Sequence, residues 1–210
     1  MTDPGVALGG QGLSCVRDGR LLFHQLDLQL QAGQILQIEG SNGAGKTSLL
    51  RILCGLSEPR EGTVRWRGDD IRSCRQDFHR QLLYIGHNPG IKLELTPLEN
   101  LRFFQALSGQ EGSENDRLNA LELIGLYGYE DVKVGALSAG QRRRAALARL
   151  WLSRATLWML DEPFTAIDRQ GIGHLEARLA DHVQAGGLVV VTSHQALTVA
   201  GCPVQPLHLQ

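Results

Sequence analysis

A chain of 210 residues is long enough to bury one sizeable core, and 42% apolar with 20% charged residues is the balance of a soluble globular protein, not a disordered or fibrous one. A formal net charge of −1 gives no general attraction to nucleic acid or to an anionic membrane, and no apolar run reaches the roughly 18 residues that a membrane span needs. The opening MTDPGVALGG lacks the basic-then-apolar layout of a signal peptide, four cysteines show no C-x-x-C pair, and seven histidines show no ligand pair at i, i+4; we expect a cytoplasmic chain with reduced thiols and no structural metal site.

Residues 6–30 alternate apolar and polar, as in LDLQL (26–30), which predicts antiparallel strands half exposed to water. QILQIE then reads as a strand, and TSLLRILCG as a helix from about Thr47 to Leu53 that stops at Gly55. Between them lies G-x-x-x-x-G-K-[ST], formed by Gly40, Ser41, Asn42, Gly43, Ala44, Gly45, Lys46 and Thr47, with Ser48 following. Glycines let the backbone wrap an anion with its N–H groups inward, and the helix start adds a positive dipole end. Lys46 supplies a mobile charge for the β- and γ-phosphates, and the Thr47 hydroxyl can ligate Mg²⁺. The pattern predicts a nucleoside triphosphate site.

GTVRWRG (62–68) alternates like the first strands, whereas LLYIG (82–86), LWML (157–160) and LVVVT (188–192) are continuous apolar runs, the mark of parallel strands buried on both faces. Residues about 90–137 differ. TPLENLRFFQAL opens with Thr-x-x-Glu, GQEGSEND is a polar loop, and RLNALELIGL is a second helix, so this stretch reads as a helical insertion in an α/β core. LSAGQ (137–141) precedes the helical pattern RRRAALARLWL, placing Ser138, Ala139, Gly140 and Gln141 at a helix N-terminus, either a second anion site or an ordinary capping turn. RRR (142–144) is the only basic run and reads as a helix face, not a nucleic-acid patch. TLWMLDEP ends a buried strand on Asp161, placed to hold Mg²⁺, and Glu162, placed to orient or deprotonate a water; VVVTSH delivers His194 as a γ-phosphate contact.

Taken in order, the phosphate loop, LSAGQ, the Asp-Glu strand and the strand ending in His resemble the ATP-binding-cassette ATPases over nearly the whole chain. The resemblance implies one cassette domain over residues 1–210: a P-loop NTPase core with a parallel sheet, an N-terminal antiparallel β subdomain, and a helical subdomain at about 90–150. FTAID (164–168) matches the loop after the catalytic strand, with Asp168 its usual acid and a dimer contact. It also implies ATP and Mg²⁺ as cofactors and a head-to-tail pair of copies, in which ATP on Lys46 of one copy is closed over by Ser138 and Gly140 of the other. Two positions depart from the pattern. His87 stands where a glutamine is usual, still able to reach Mg²⁺ or water, and Arg17 stands where an aromatic ring usually stacks on adenine, with Phe23 a weaker candidate.

Within the family, QIEGSNGAGKTSLLRIL, YIGHNPGIK, LTPLENL and LARLWLSRATLWMLDEPFTAID resemble the haem-exporter ATPases of bacterial cytochrome c maturation. That implies integral-membrane partner subunits, no nucleic acid, a peripheral place on the cytoplasmic face of the inner membrane, and hydrolysis coupled to haem export or to release of a haem-loaded chaperone. The ATPase of another transporter, a soluble cassette protein of translation or DNA repair, and a kinase or GTPase using the phosphate loop alone are the alternatives. The single cassette without a basic surplus argues against the second, and LSAGQ with Asp161-Glu162 against the third.

Overall fold

The computed structural model describes residues 6–88, 90–194 and 196–209. The chain divides into two compact units, the first holding residues up to 84 with 155–162 and 180 onwards, the second holding 85–154 with 163–179.

The first unit carries two sheets. β1 (Val6–Arg17), β2 (Arg20–Gln31), β4 (Glu61–Trp66) and β5 (Asp69–Asp70) form an antiparallel sheet in the order β2-β1-β4-β5. Its strands bury alternate residues such as Leu28 and Leu30, as the alternating sequence predicts. The second sheet has the order β6-β7-β8-β3-β9, from β3 (Ile35–Glu39), β6 (Leu82–Ile85), β7 (Leu157–Asp161), β8 (Leu188–Thr192) and β9 (Val204–His208). β8 runs parallel to both β3 and β7, and β9 runs parallel to β3 at the edge. Every residue of β7 and β8 is buried, which is why their sequences are continuous apolar runs.

Helix α1 (Lys46–Leu53) touches both sheets and closes one core, in which Leu49, Leu50 and Leu53 meet Leu8 and Leu30 from one sheet and Ile38, Met159 and Val190 from the other. It ends on Gly55 at φ 68°, where the Gly55 and Leu56 N–H groups bond the Ile52 and Arg51 carbonyls; only glycine takes that left-handed position without cost. A short α2 (Arg75–Arg80) seats Phe78 against Trp66. All four cysteines are free thiols, and burial pushes the Cys54 thiol well up, so it is an inert core residue.

The second unit is helical: α3 (Pro97–Leu107), α4 (Glu114–Leu123), α5 (Ala139–Leu147), α6 (Arg149–Leu152) and the first part of α7 (Arg169–Gln184). Three starts are capping boxes, Thr96 with Glu99, Ser113 with Asp116, and Ser138 with Gln141, each satisfying two N–H groups that a helix leaves without intrahelical partners. The arginine run is not a solvated face. Arg142 donates to the Val134 and Gly135 carbonyls, and Arg144 pairs with Asp168 at 3.2 Å. Arg143 is buried and donates to the Gly86 and His87 carbonyls at 2.7 and 3.2 Å. Each guanidinium carries several N–H donors, and the three arginines hold loops within the unit.

Candidate functional site

The parallel register of the second sheet decides which residues meet. β3, β7 and β8 end side by side, with Ile38 opposite Thr192 and Thr192 opposite Asp161. The glycine-rich loop leaves the end of β3, and the Asp161-Glu162 pair leaves the end of β7. His194 follows two residues after β8, so all three segments emerge at the carboxyl ends of the strands, the place where open α/β sheets bind ligands.

The loop needs its glycines at specific points. Gly40 has φ 149°, and a Cβ there would lie 2.7 Å from the Leu209 carbonyl oxygen and 3.1 Å from the Ala44 Cβ. Gly45 caps α1 at φ 102° with no side-chain bond to the helix, so the first N–H groups of α1 are left to the loop and to whatever the loop holds. A Cβ on Gly45 would press on Leu22 and Phe23 of β2.

Lys46 is buried in this loop and its Nζ donates to the Gly40 and Ser41 carbonyls at 2.8 and 3.3 Å. It also lies 3.9 Å from Glu162 Oε1. Thr47 Oγ1 donates to Asp161, 2.9 Å from Oδ2 and 3.2 Å from Oδ1, and Asp161 is 1% exposed. Glu162 Oε1 stands 3.1 Å from His194 Nε2. The Glu162 backbone has φ 53°, a left-handed position uncommon outside glycine, and its N–H donates to Thr192 Oγ1 at 2.8 Å. The Thr192 hydroxyl in turn donates to Asp161 Oδ1 at 2.7 Å. One cation, two carboxylates, two hydroxyls and an imidazole therefore converge beside a rim of backbone N–H groups. Such a set can hold a polyphosphate, and it can aim an acceptor at a water.

The first unit brings together Gly40–Ser48, Asp161, Glu162 and His194. Arg17 also belongs to it, exposed at the tip of the β1–β2 hairpin and 3.8 Å from Asp18. Phe23 is in the core, with its ring edge near Gly45. His87, Ser138–Gln141 and Asp168 belong to the second unit. The His87 side chain is exposed there. Ser138 Oγ accepts from Gln141 N, and the Gln141 amide oxygen accepts from Ser138 N, so the box at α5 leaves the Ala139 and Gly140 N–H groups as the outward donors of that helix start. A Cβ on Gly140 would lie 3.1 Å from the Ala166 carbonyl oxygen. Asp168 caps α7 by accepting from Gly171 N at 2.8 Å. Sequence reasoning did not single out Thr192, which carries no motif of its own; the clue was a hydroxyl residue closing an otherwise apolar strand two positions before His194.

Among the described residues no group of three or more His, Cys, Asp or Glu forms a metal cage. The contact between the Thr47 hydroxyl and the buried Asp161 carboxylate fits a hard cation such as Mg²⁺, whose shell water and substrate phosphate would complete. No helix among the described residues is long and apolar enough to cross a membrane.

Residues 23–165 match the ABC transporter family model. The chain is 52% identical over 202 residues to the cytochrome c biogenesis ATP-binding export protein CcmA of Escherichia coli (strain K12), covering 96% of each. It shows the same identity and coverage to the protein of that name from Shigella flexneri. Among solved structures, a putative ABC transporter ATP-binding protein from Pyrococcus furiosus superposes with a TM-score of 0.81 at 24% identity, covering 96% of both chains. An ATP-binding cassette captured as a post-hydrolysis dimer with ADP and phosphate superposes with a TM-score of 0.76 at 20% identity, covering 90% of this chain and 88% of that one. The two-sheet unit with its phosphate loop, the helical unit and these likenesses agree: the chain belongs to the ABC transporter family, as one of its ATP-binding subunits.

Proposed function

We propose that this chain is the ATP-hydrolysing subunit of a membrane complex in c-type cytochrome biogenesis, energising haem export or release of a haem-loaded chaperone. The observation that carries the ATPase reading is Glu162 Oε1, held between Lys46 Nζ and His194 Nε2 beside the phosphate loop. The extent of identity to the Escherichia coli and Shigella export proteins supports the biogenesis assignment.

The N–H groups of Gly40–Ser48 bind the phosphates, and Lys46 turns from the Gly40 and Ser41 carbonyls to the β- and γ-phosphate oxygens. Thr47 and Asp161 would hold Mg²⁺, Asp161 directly or through water, and His87 could reach the ion or a water; when bound, the ion would supply positive charge to the phosphate oxygens. Glu162 accepts a proton from the attacking water, His194 bonds the γ-phosphate, and Arg17 lies against the adenine. Residues 1–210 act as one cassette, with residues 90–150 as its helical subdomain. Two copies pair head to tail. Ser138, Ala139, Gly140 and Gln141 of one copy close over the ATP of the other, and Asp168 lines the dimer contact. Lacking a helix that could cross a membrane, the described chain would be held peripherally, at the cytoplasmic face of the inner membrane, by integral-membrane partners.

The test is to isolate the chain with its native membrane partners and identify them, and to measure covalently attached haem in c-type cytochromes of cells carrying Lys46→Ala. Recovery with the subunits of an unrelated exporter, or normal haem attachment in the variant, would leave an ABC ATPase and overturn the biogenesis assignment.

A further inference from the structure

Thr192 is fully buried at the end of β8, level with Asp161 in the parallel register. Side chains level with each other on neighbouring strands share a face, so this hydroxyl is delivered to the aspartate by the sheet itself. A threonine hydroxyl has one proton and two lone pairs. An ionised Asp161 can only accept, so the proton goes to its Oδ1, and a lone pair is left for the Glu162 N–H. One side chain thus bonds both acidic residues of the site, Asp161 through its carboxylate and Glu162 through its backbone.

The second bond matters because of where Glu162 sits. Its φ of 53° is a conformation that a side-chain-bearing residue keeps only when its surroundings hold it. In an extended conformation the glutamate would leave β7 in another direction, and its carboxylate would not lie between Lys46 and His194. The Glu162 N–H bond to Thr192 is the contact at the strained residue's own backbone. Resting on the reading of Glu162 as the water-activating base, we infer that Thr192 is a positioning residue for hydrolysis: its hydroxyl locks the backbone turn that aims the Glu162 carboxylate, and it acts on the chemical step, not on ATP binding.

Thr192→Val keeps volume and β-branching but removes the hydroxyl; Thr192→Ser keeps the hydroxyl. In the full chain, kcat for ATP hydrolysis should fall about 10- to 100-fold in Thr192→Val, the scale for losing a partner that orients a functional group. KM for ATP, measured at saturating Mg²⁺ so that the lost bond to Asp161 does not register, should stay within about twofold, and Thr192→Ser should recover kcat to within about threefold of the parent, because the same two bonds can form. If Thr192→Val does not fold, Thr192→Ala, which also lacks the hydroxyl, is compared with Thr192→Ser instead. Unchanged kcat without the hydroxyl, a loss confined to KM, or equal damage in the serine variant overturns the inference. A Glu162→Gln protein that hydrolyses ATP normally overturns instead the reading on which it rests, so the two failures are distinguishable.

Discussion

Replacing Lys46 by methionine keeps the length and apolar stem of the side chain and removes its charge. The Lys46 ammonium has two carbonyl partners, at 2.8 and 3.3 Å, and the Glu162 carboxylate at 3.9 Å. The lysine therefore contributes to binding the difference between phosphate oxygens and these resting partners. A charged hydrogen bond is worth about 1.5–3 kcal/mol net, and losing one member of a desolvated charge pair costs about 2–5 kcal/mol. Because the resting bonds must be given up, the lower half of that range applies, about 2–3.5 kcal/mol, or roughly 30- to 400-fold in Kd. The fold should tolerate the change, because the freed Gly40 and Ser41 carbonyls lie on residues that are partly or fully exposed to water. Calorimetric titration of the parent and Lys46→Met chains with Mg-ATP measures the ratio, and thermal melting checks folding. A Kd within threefold of the parent, in a folded variant, would refute the assignment of this loop to the phosphates.

Gly40→Ala should destabilise the protein by about 1–3 kcal/mol, the cost of forcing a side chain into a disfavoured backbone region. The Leu209 carbonyl cannot retreat freely, since Leu209 N is bonded to the Glu39 carbonyl at 2.9 Å; an unchanged melting temperature would contradict this. Arg143→Met should cost about 2–4 kcal/mol, from two charge-assisted bonds to the Gly86 and His87 carbonyls, as read by denaturant unfolding. Both bonds come from Nη1, and a lysine stem is shorter than arginine's, so Arg143→Lys should recover only part of that; full recovery would show that charge alone matters.

Much of the sheet was legible because burial writes itself into sequence. β7 and β8 are buried along their whole length, and their continuous apolar runs read as parallel strands buried on both faces. That the glycine-rich loop, Asp161, Glu162 and His194 would meet at the strand ends was legible because glycine spacing and paired carboxylates at a strand end are rare by chance. β9 was not legible. Its sequence VQPLH is mostly exposed and carries Pro206, and a proline is tolerated there only because the strand lies at the sheet edge. The burial of Arg143 was not legible for a related reason. Composition reports a charge run, while its burial depends on carbonyls 56 and 57 residues away in the chain. Thr192 was missed because its significance lies in the register of three strands, which no local window contains.

The central claim is that Glu162 is the base that activates water for ATP hydrolysis. Glu162→Gln preserves shape and leaves the backbone bond to Thr192 in place, so ATP and Mg²⁺ should still bind with Kd near that of the parent. The measurement is the hydrolysis rate at saturating Mg-ATP in that variant, alongside the amount of ATP-bound dimer that survives gel filtration. The rate should be about 10²- to 10⁴-fold lower, the usual contribution of a positioned general base, with the ATP-bound pair accumulating because hydrolysis no longer releases it. Turnover at the parent's rate in a variant that binds ATP normally would contradict it.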